Sequence, residues 1–429
     1  MKTNSGFSKI SFKSQVCGTA ILMLSLFGGA FGYTLYYGNL HSHTCYSLDW
    51  AGAPGDDPER AYAYARDTAH IQVLAVTDHN YWLDPSEWAD TKTQAHAATI
   101  PGTFVGLAAF EWTSWPALSD INVFYTDDYY PDTNVTMPFV YSWLHDRPAA
   151  LGQFDHPYEG GGFFDDFRYS DTGDARMAFW EMQRSFQGDS FHVILDSGWH
   201  VGLSANQDNH HPDWGSLNQL TGIWADSLAE GSVYSALKCM RTFGTLDRDF
   251  RLQFTVNDSW MGSAVPNGQL HFRVVASDSD VNDNIERVDI LTNHGVSLRS
   301  LVIGDTNAVS WEFDTTTNQG ERRYFYVRVI QTDGDYAVSS PIWTPDLSGI
   351  ADAEQTRRVA ESALRVAPNP FLGATHVPGR ERETFVLYDE TGRPTTRCRG
   401  DAVGRGLPAG VYFLRQATGQ GTARIVKLH

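Results

Sequence analysis

The stretch Gly38-Asn39-Leu40-His41-Ser42-His43-Thr44 carries two histidines separated by one residue, and Asp49 follows shortly after it. Side chains two residues apart point to the same side of an extended chain, so both imidazoles can reach one metal ion. A short motif of this kind also occurs by chance, as an exposed pair of histidines. The stretch therefore predicts a metal site only if later segments of the chain supply further ligands.

Four later apolar runs each lead directly into a histidine or a carboxylate. These runs, with the polar residues that follow, are 71–76 with His79, 103–110 with Glu111, 149–154 with His156, and 201–205 with Asp208 and His210. Short continuous apolar runs separated by helices are typical of buried parallel strands. Catalytic and ligand-binding residues lie at the C-terminal ends of such strands. Each polar residue alone is explained as a loop cap, but an ordered set of them indicates a metal centre.

Other segments indicate the division of the chain into parts. A helix is predicted from Asp57, which can cap it, with Pro58 in its first turn. Short alternating runs from residue 251 onwards are typical of an antiparallel sandwich. The predicted parts are a signal peptide (1–32), a catalytic domain (33–250), a β-sandwich domain (251–345), a linker (346–362) and a C-terminal domain (363–429).

Composition and charge exclude several classes of protein. The chain has 429 residues and a net charge of -19, which argues against binding to a nucleic-acid backbone. The signal-peptide prediction depends on three lysines in the first 13 residues and an apolar run over 18–29, with cleavage after Gly32. No other run predicts a transmembrane segment in the mature chain. Removal of the signal peptide leaves three cysteines, an odd number, so a full disulfide framework is not expected.

Histidines and carboxylates with no required cysteine suit zinc, manganese or iron. The predicted ligands number too many for one tetrahedral ion, and we expect two or three divalent ions with Glu111 bridging. The ligands are His41, His43, Asp49, His79, Glu111, His156, Asp208 and His210. Metal binding lowers the pKa of water to ~7, so the predicted nucleophile is a metal-activated hydroxide. Asp78, Glu111 and Asp208 are the predicted catalytic residues, with Asp78 orienting a histidine or a water.

The ordered set of motifs over residues 36–250 resembles the PHP (polymerase and histidinol phosphatase) superfamily of metal-dependent hydrolases. The aromatic context of Glu111, the segment 195–199 and the segment 241–243 are similar to the carbaryl-hydrolase-like branch. The resemblance implies an α/β fold, a distorted (β/α)7 TIM-like barrel, followed by an antiparallel β-sandwich domain and a small all-β C-terminal domain. One position departs from the family pattern, because Asp120 stands where such families often carry a histidine. Asp120 can ligate a metal, and it leaves the third ion open.

The C-terminal part resembles a type IX secretion sorting domain. The segments 367–370, 407–412 and 425–427 carry this resemblance. It agrees with the predicted signal peptide and implies export through the periplasm, by the secretion machinery, to the medium or the cell surface.

Three functions are compatible with these motifs. The first is a phosphoesterase, and the second is a carboxylic or carbamic ester hydrolase at the same site, each with a small-molecule substrate that His200 and His211 are predicted to contact. The third is a non-catalytic protein that binds surface glycans, in which Trp112, Trp115 and Trp199 would stack on sugars. Fold alone does not choose among them.

Overall fold

The structure of the protein is a computed structural model. It describes residues 32–116, 119–157, 164–182, 191–344, 366, 368–389, 393–416 and 422–428. The predicted signal peptide up to residue 31 and the predicted linker lie outside the described residues. Within these ranges, none of the helices combines the length and the apolar character that a membrane span requires.

The first half of the chain mixes strands and helices. Its strands are β1 (Thr34–Asn39), β2 (Val73–Val76), β3 (Val105–Ser114), β4 (Ser119–Phe124), β5 (Leu151–Phe154), β6 (Met177–Met182), β7 (Gly202–Ala205), β8 (Leu220–Ala225) and β9 (Thr242–Thr245). Its helices are α1 (Pro58–Asp67), α2 (Pro85–Ala98), α3 (Met137–His145), α4 (Phe164–Phe167), α5 (Asp171–Asp174), α6 (Phe191–Asp196) and α7 (Glu230–Lys238). The helix α4 is a single turn with positive φ throughout.

The helix α1 begins where the sequence predicts. The side chain of Asp57 accepts a hydrogen bond of 3.1 Å from the backbone N–H of Arg60, and Pro58 occupies the first turn. A capping oxygen satisfies a backbone donor that has no partner inside the helix, and proline has no N–H to lose there. Tyr62 and Ala65 lie on the buried face of the helix, which fixes α1 beside the sheet.

The strand order of the first half places the predicted site. The strands β1, β2 and β3 are parallel, and so are β5, β6 and β7, but β4 runs antiparallel to both of its neighbours. The strand β8 runs antiparallel to β1, and β9 runs antiparallel to β8. The C-terminal ends of β1, β2, β5 and β7 therefore lie at one edge of the sheet.

The predicted fold class, a distorted (β/α)7 TIM-like barrel, is wrong. The protein is mostly β, with 39% strand and 17% helix, and its main sheet is a mixed one of 14 strands within the described residues. Only four residues separate β3 from β4, and the two strands are antiparallel, so the chain reverses between them. An apolar run does not encode the direction of a strand, so antiparallel strands were mistaken for parallel ones.

The second half of the chain is almost entirely β. Its strands are β10 (Arg251–Val256), β11 (Ser259–Trp260), β12 (Gln269–Ser277), β13 (Ile285–Thr292), β14 (Val296–Val302), β15 (Ala308–Thr316), β16 (Arg323–Gln331), β17 (Tyr336–Ser339) and β18 (Ile342–Thr344). The strands β11, β10, β12 and β15 form a separate sheet, whose Phe272 packs against Phe325 of β16 at 5.0 Å between ring centroids. The strands β13, β14, β16 and β17 continue the main sheet, because β17 pairs with β9.

The C-terminal part has a sheet and a core of its own. Its strands are β19 (Thr384–Tyr388), β20 (Pro394–Arg399), β21 (Gly410–Gln416) and β22 (Thr422–Lys427), and all the pairings are antiparallel. Phe385, Leu387, Leu414 and Ile425 are fully buried in this core. Burial of apolar surface within this part alone stabilises it independently of the main sheet.

Candidate metal centre

The two histidines of the opening stretch are both completely buried just beyond the end of β1. The chain continues in an extended form there, because Ser42 is bridged to Asn209 and the N–H of Thr77 donates to the carbonyl of Ser42 at 2.8 Å. The rings of His41 and His43 lie on the same side, with centroids 5.3 Å apart. Backbone pairing therefore presents both imidazoles to one space, as their spacing predicts.

Glu111 lies at the centre of a group of four imidazoles. Its Oε1 is 3.5 Å from Nε2 of His41 and 3.2 Å from Nε2 of His156. Its Oε2 is 3.3 Å from Nε2 of His43 and 3.1 Å from Nδ1 of His79. Each carboxylate oxygen thus faces two histidines, which is the arrangement that a bridging ligand between two ions requires. The apolar run 103–110 suggested that Glu111 follows the strand, but Glu111 lies inside β3.

Asp208 adds a second carboxylate to the same space. Its Oδ1 is 2.9 Å from Nε2 of His43 and 3.2 Å from Nε2 of His41. Its backbone N–H donates to the carbonyl of His41 at 3.0 Å, and its φ is +47°. A positive φ is unfavourable for a residue with a side chain, and such residues are concentrated at functional sites.

Asp49 and His210 lie at the more exposed side of the group. The Oδ2 of Asp49 is 3.0 Å from Nε2 of His210 and 3.2 Å from Nε2 of His79. The side chains of Asp49 and His210 are 37% and 28% exposed, whereas those of His41 and His43 are completely buried. Solvent therefore reaches the group from this side. All eight predicted ligands lie together, and we call them the histidine–carboxylate cluster.

The charges of the cluster shift the pKa values of its members strongly. Burial lowers the pKa of His43, but the carboxylates of Asp208 and Glu111 outweigh it and raise the pKa to about 10. Burial likewise opposes Asp208 and Glu181 at His41, and the net pKa lies well above its usual value. At Glu111 burial raises the pKa, but His79 and His41 lower it well below the usual value. The cluster therefore requires positive charge, from protons or from metal ions.

Three buried atoms of the cluster make no aligned hydrogen bond, although ionisable partners lie 3.1–3.5 Å from them, namely Nε2 of His41, Nδ1 of His79 and Oε2 of Glu111. Buried polar atoms are normally hydrogen-bonded, so nitrogen and oxygen atoms that face one another without such bonds form a set that a metal ion could share. Nδ1 of His41 is 3.1 Å from Oε1 of Glu181, which leaves Nε2 as the ring nitrogen that faces the cluster. Nitrogen and carboxylate donors of this kind fit zinc, manganese or iron.

The ligand atoms fall into sets that can each share one ion. The atoms of each set lie within 4.8 Å of one another, and the sets are His41, Glu111 and His156; His43, His79 and His210; and His41, His43 and Asp208. The first two sets have no residue in common, so two ions could be held at the same time. We call the set of His41, Glu111 and His156 the His156 half of the cluster, and the set of His43, His79 and His210 the His210 half.

Asp120, the position that departs from the family pattern, lies beside the His156 half. Its Oδ2 is 3.9 Å from Nε2 of His156, and burial together with the charge of Glu111 raises its pKa. The carboxylate thus lies at the margin of the His156 half. Its role as a ligand stays a prediction.

Asp78 does not face the cluster directly. Its Oδ1 accepts hydrogen bonds from the backbone N–H of Thr44 at 2.7 Å and from Oγ of Ser47 at 2.8 Å, and Oγ of Thr44 donates to Oδ2. The same Ser47 oxygen is 3.2 Å from Nδ1 of His43. Asp78 therefore contacts the ring of His43 through Ser47, and its role in orienting that histidine stays a prediction.

The two predicted substrate contacts lie apart from these hydrogen bonds. Nδ1 of His200 is 2.8 Å from Oδ2 of Asp174, and its Nε2 is 3.4 Å from Arg322. His211 is exposed. Among the described residues, no hydrogen bond joins either ring to the cluster. Their contact with substrate stays a prediction.

Two further acidic residues, which the sequence did not single out, complete the surroundings. Glu181 and Asp155 are both 1% exposed, and both lie near Nδ1 of His41, at 3.1 and 3.8 Å. Glu181 is a lone carboxylate within the apolar strand β6, and that contrast is the signal that could have revealed it. Charged residues are almost never fully buried without a partner, so a lone charged residue in an apolar run indicates that a buried partner lies elsewhere in the chain.

An aromatic wall borders the exposed side of the cluster. The ring of His79 lies 5.2 Å from that of Tyr81 and 5.0 Å from that of Trp82, and Tyr81 contacts Trp115 at 5.8 Å. Trp115 is 57% exposed. The wall therefore offers apolar surface to a substrate beside the predicted metal ligands.

The three tryptophans considered for glycan binding differ in exposure. Trp112 and Trp199 are buried to at least 99% in the core, and of the three only Trp115 reaches the surface. The glycan-binding alternative therefore loses two of its three stacking residues.

Comparisons with known proteins identify no relative. No known family's model matches the chain, and no curated protein matches it. The solved structure of dimeric latent PorU from Porphyromonas gingivalis is 14% identical, covers 42% of this chain and 20% of its own, and has a TM-score of 0.17. An α-L-rhamnosidase of Streptomyces avermitilis is 12% identical, covers 41% and 24%, and has a TM-score of 0.17. The chain thus spans a quarter or less of these proteins, and likenesses this weak identify neither fold nor function.

Proposed function

We propose that this protein is a metal-dependent hydrolase that cleaves a phosphoester of a small molecule. The observation that carries the proposal is the contact of one buried carboxylate, Glu111, with four imidazoles at 3.1–3.5 Å. Divalent ions in such a site supply an acidified water as nucleophile and positive charge beside the reacting oxygens. No serine or cysteine nucleophile is then needed.

The residues of the cluster would hold the ions and leave one side open to a substrate. The His156 half and the His210 half would each hold an ion, with Glu111 of the first half also contacting His43 and His79 of the second, and Asp208 contacting both His41 and His43. His41 and His43 are completely buried, whereas Asp49 and Asp208 are each 37% exposed, so a substrate would approach on the side of these carboxylates and the aromatic wall. The reacting group would then lie at the exposed side of Glu111 and Asp208.

The test compares the wild-type protein with His41→Ala and Asp208→Ala. We expect at least two tightly held transition-metal ions per wild-type chain by elemental mass spectrometry, together with hydrolysis of aryl phosphates. Both variants should lose metal and turnover. Variants that hydrolyse phosphoesters as fast as the wild type would contradict the proposal.

A second candidate is hydrolysis of a carboxylic or carbamic ester at the same cluster. The aromatic wall of Tyr81, Trp82 and Trp115 favours it, because apolar side chains suit an uncharged substrate better than a phosphoester anion. Turnover of matched aryl phosphates and aryl esters by one preparation separates the two functions. A preference of tenfold or more for the aryl ester would favour the second.

Export of the protein is also part of the proposal. The C-terminal part has its own four-stranded sheet and buried core, which supports a separate sorting module. Deletion of residues 363–429 should leave the metal centre intact and retain the protein inside the cell that produces it. Export at wild-type levels after this deletion would contradict a sorting role.

A further inference from the structure

Glu181 contacts two predicted ligands at once. Its side chain is buried in β6, with Oε1 3.1 Å from Nδ1 of His41. Its Oε2 accepts a hydrogen bond of 2.8 Å from the backbone N–H of His156. One carboxylate thus holds the ring of the first histidine and the backbone of the second.

Both of these ligands belong to the His156 half of the cluster. Because Nδ1 of His41 faces Glu181, its Nε2 faces Asp208 at 3.2 Å and Glu111 at 3.5 Å. The φ of His156 is +28°, a conformation that a non-glycine residue adopts only when surrounding contacts enforce it. The bond from Glu181 to its N–H is such a contact. Loss of Glu181 would free both ligands together.

Glu181 is itself held by two amide side chains. Nδ2 of Asn206 donates to its Oε1 at 3.0 Å, and Nε2 of Gln153 approaches the same oxygen at 3.5 Å. Oδ1 of Asn206 accepts from the backbone N–H of Leu40 at 2.7 Å. The carboxylate is therefore fixed relative to the segment that carries His41.

The His210 half has a different supporting carboxylate. Asp78 accepts from Ser47, whose oxygen contacts Nδ1 of His43. Among the described residues, the carboxylate of Asp78 makes no hydrogen bond to the His156 half, although its backbone carbonyl accepts from the N–H of Glu111 at 3.2 Å. At the level of side chains, each half therefore contacts its own buried acid.

We propose that Glu181 is the positioning residue of the His156 half, and that it sets the affinity of the ion held there independently of the ion in the His210 half. The inference rests on the proposed function, because it assumes that the cluster holds metal. It adds that the two ions can be lost separately.

The test is a metal titration of the full-length protein after removal of metal, with Zn²⁺ and with Mn²⁺ in separate experiments against a competing chelator. Glu181→Gln keeps the size of the side chain, but its amide group cannot accept from both His41 and His156. We expect one binding event to weaken by about 10–100-fold, the usual effect of losing a residue that orients a ligand. The other event should stay within about twofold of wild type.

Asp78→Asn is the matched control, since it also replaces a buried orienting acid. It should weaken the other binding event and leave the one that depends on Glu181. Unchanged affinities in Glu181→Gln, or an equal weakening of both events, would overturn the inference. A wild-type protein that binds no ion would overturn the proposed function, and the inference with it.

A second measurement reads the tautomer of His41 in the wild-type chain, and it needs a variant only to assign the signals. In the Zn²⁺-loaded protein, ¹⁵N spectra of the histidine rings should show His41 protonated at Nδ1 and metal-bound at Nε2, with assignment by the signal missing from His41→Gln. Protonation of His41 at Nε2 would contradict a positioning role for Glu181.

Discussion

At the residue scale, the cluster is a balance of buried charge. Glu111 is 99% buried and faces four imidazoles, while Asp208 and Asp49 each face two or more. An ionised carboxylate in such a place is stable only if positive charge surrounds it. Protonated histidines supply that charge in the metal-free chain, and under the proposed function metal ions would replace the protons. The two states of the cluster therefore respond to pH in opposite ways.

Replacement of the central carboxylate should have the largest effect of any single change in the cluster. In Glu111→Gln, four imidazoles lose their shared partner, so metal affinity should fall by more than the ~10–100-fold typical of residues that only orient ligands. Elemental analysis after dialysis measures this. Glu286→Gln, at an exposed position in β13, is the control and should keep its metal. Retention of metal by Glu111→Gln would contradict the bridging role.

The metal-free protein should lose stability as the pH rises. The folded-state pKa of His43 is about 10, above its ordinary value of 6.5. Its protonated form therefore stabilises the folded chain fully below pH 6.5, and this contribution disappears as the pH rises through about 10. We expect the Tm of the metal-free protein to fall between pH 7 and 10.

The metal-saturated protein should behave differently over the same range, since ion binding needs neutral imidazole and releases protons. Calorimetry in two buffers of different ionisation enthalpy measures that release. Binding without proton release at pH 7.5 would show that the histidines are neutral before metal arrives.

At the scale of the element, β1 positions the cluster by close packing against β2. Gly38 pairs with Val73 across the parallel ladder, and a Cβ at Gly38 would lie 2.9 Å from Cβ of Val73. The two strands therefore approach closely three residues before His41. A shift of β1 at this point would move both buried histidines relative to Glu111 in β3.

Gly38→Ala should accordingly destabilise the protein by about 1–3 kcal/mol through overpacking. Because the strands must separate, metal affinity should fall as well. Gly55→Ala is the matched control, since its added Cβ would meet nothing within 4 Å. Urea unfolding with and without metal measures both effects. Equal stability of the two variants would contradict the close approach of β1 and β2.

At the scale of the whole molecule, the main sheet runs across the predicted boundary at residue 250. The strand β17 pairs with β9, with Ser339 opposite Phe243. Oγ of Ser340 accepts from the backbone N–H of Leu203 in β7 at 2.9 Å. The β-rich second half therefore completes hydrogen bonds of the strands that carry the cluster. The domain boundaries themselves stay predictions.

Truncation should reveal this dependence. A chain that ends at residue 250 leaves the edge of β9 and the N–H of Leu203 without partners, so it should aggregate or unfold. A chain that ends at residue 362 keeps β17 and Ser340, the partners of β9 and of the N–H of Leu203. It should retain the metal and the Tm of the main transition. Light scattering and thermal melting compare the two. A stable, metal-loaded fragment ending at 250 would contradict the role of β17.

The sequence by itself determined which types of side chain make up the cluster. The histidines and carboxylates that follow apolar runs were predictable as a group, because local patterns mark strands and side-chain types mark ligands. His41, His43, His79 and Asp208 do lie together, and α1 begins at the predicted cap. Side-chain identity and spacing are local properties, so they can be read without the fold.

Only the tertiary structure decided the direction of the strands and the supporting residues. Nothing in the apolar run that forms β4 shows that it reverses, because hydrophobic burial has no direction. Glu181 lies 140 residues from His41 in sequence, and only folding brings its carboxylate to Nδ1. Long-range pairing of this kind depends on which strands hydrogen-bond to one another, and that is a property of the whole sheet.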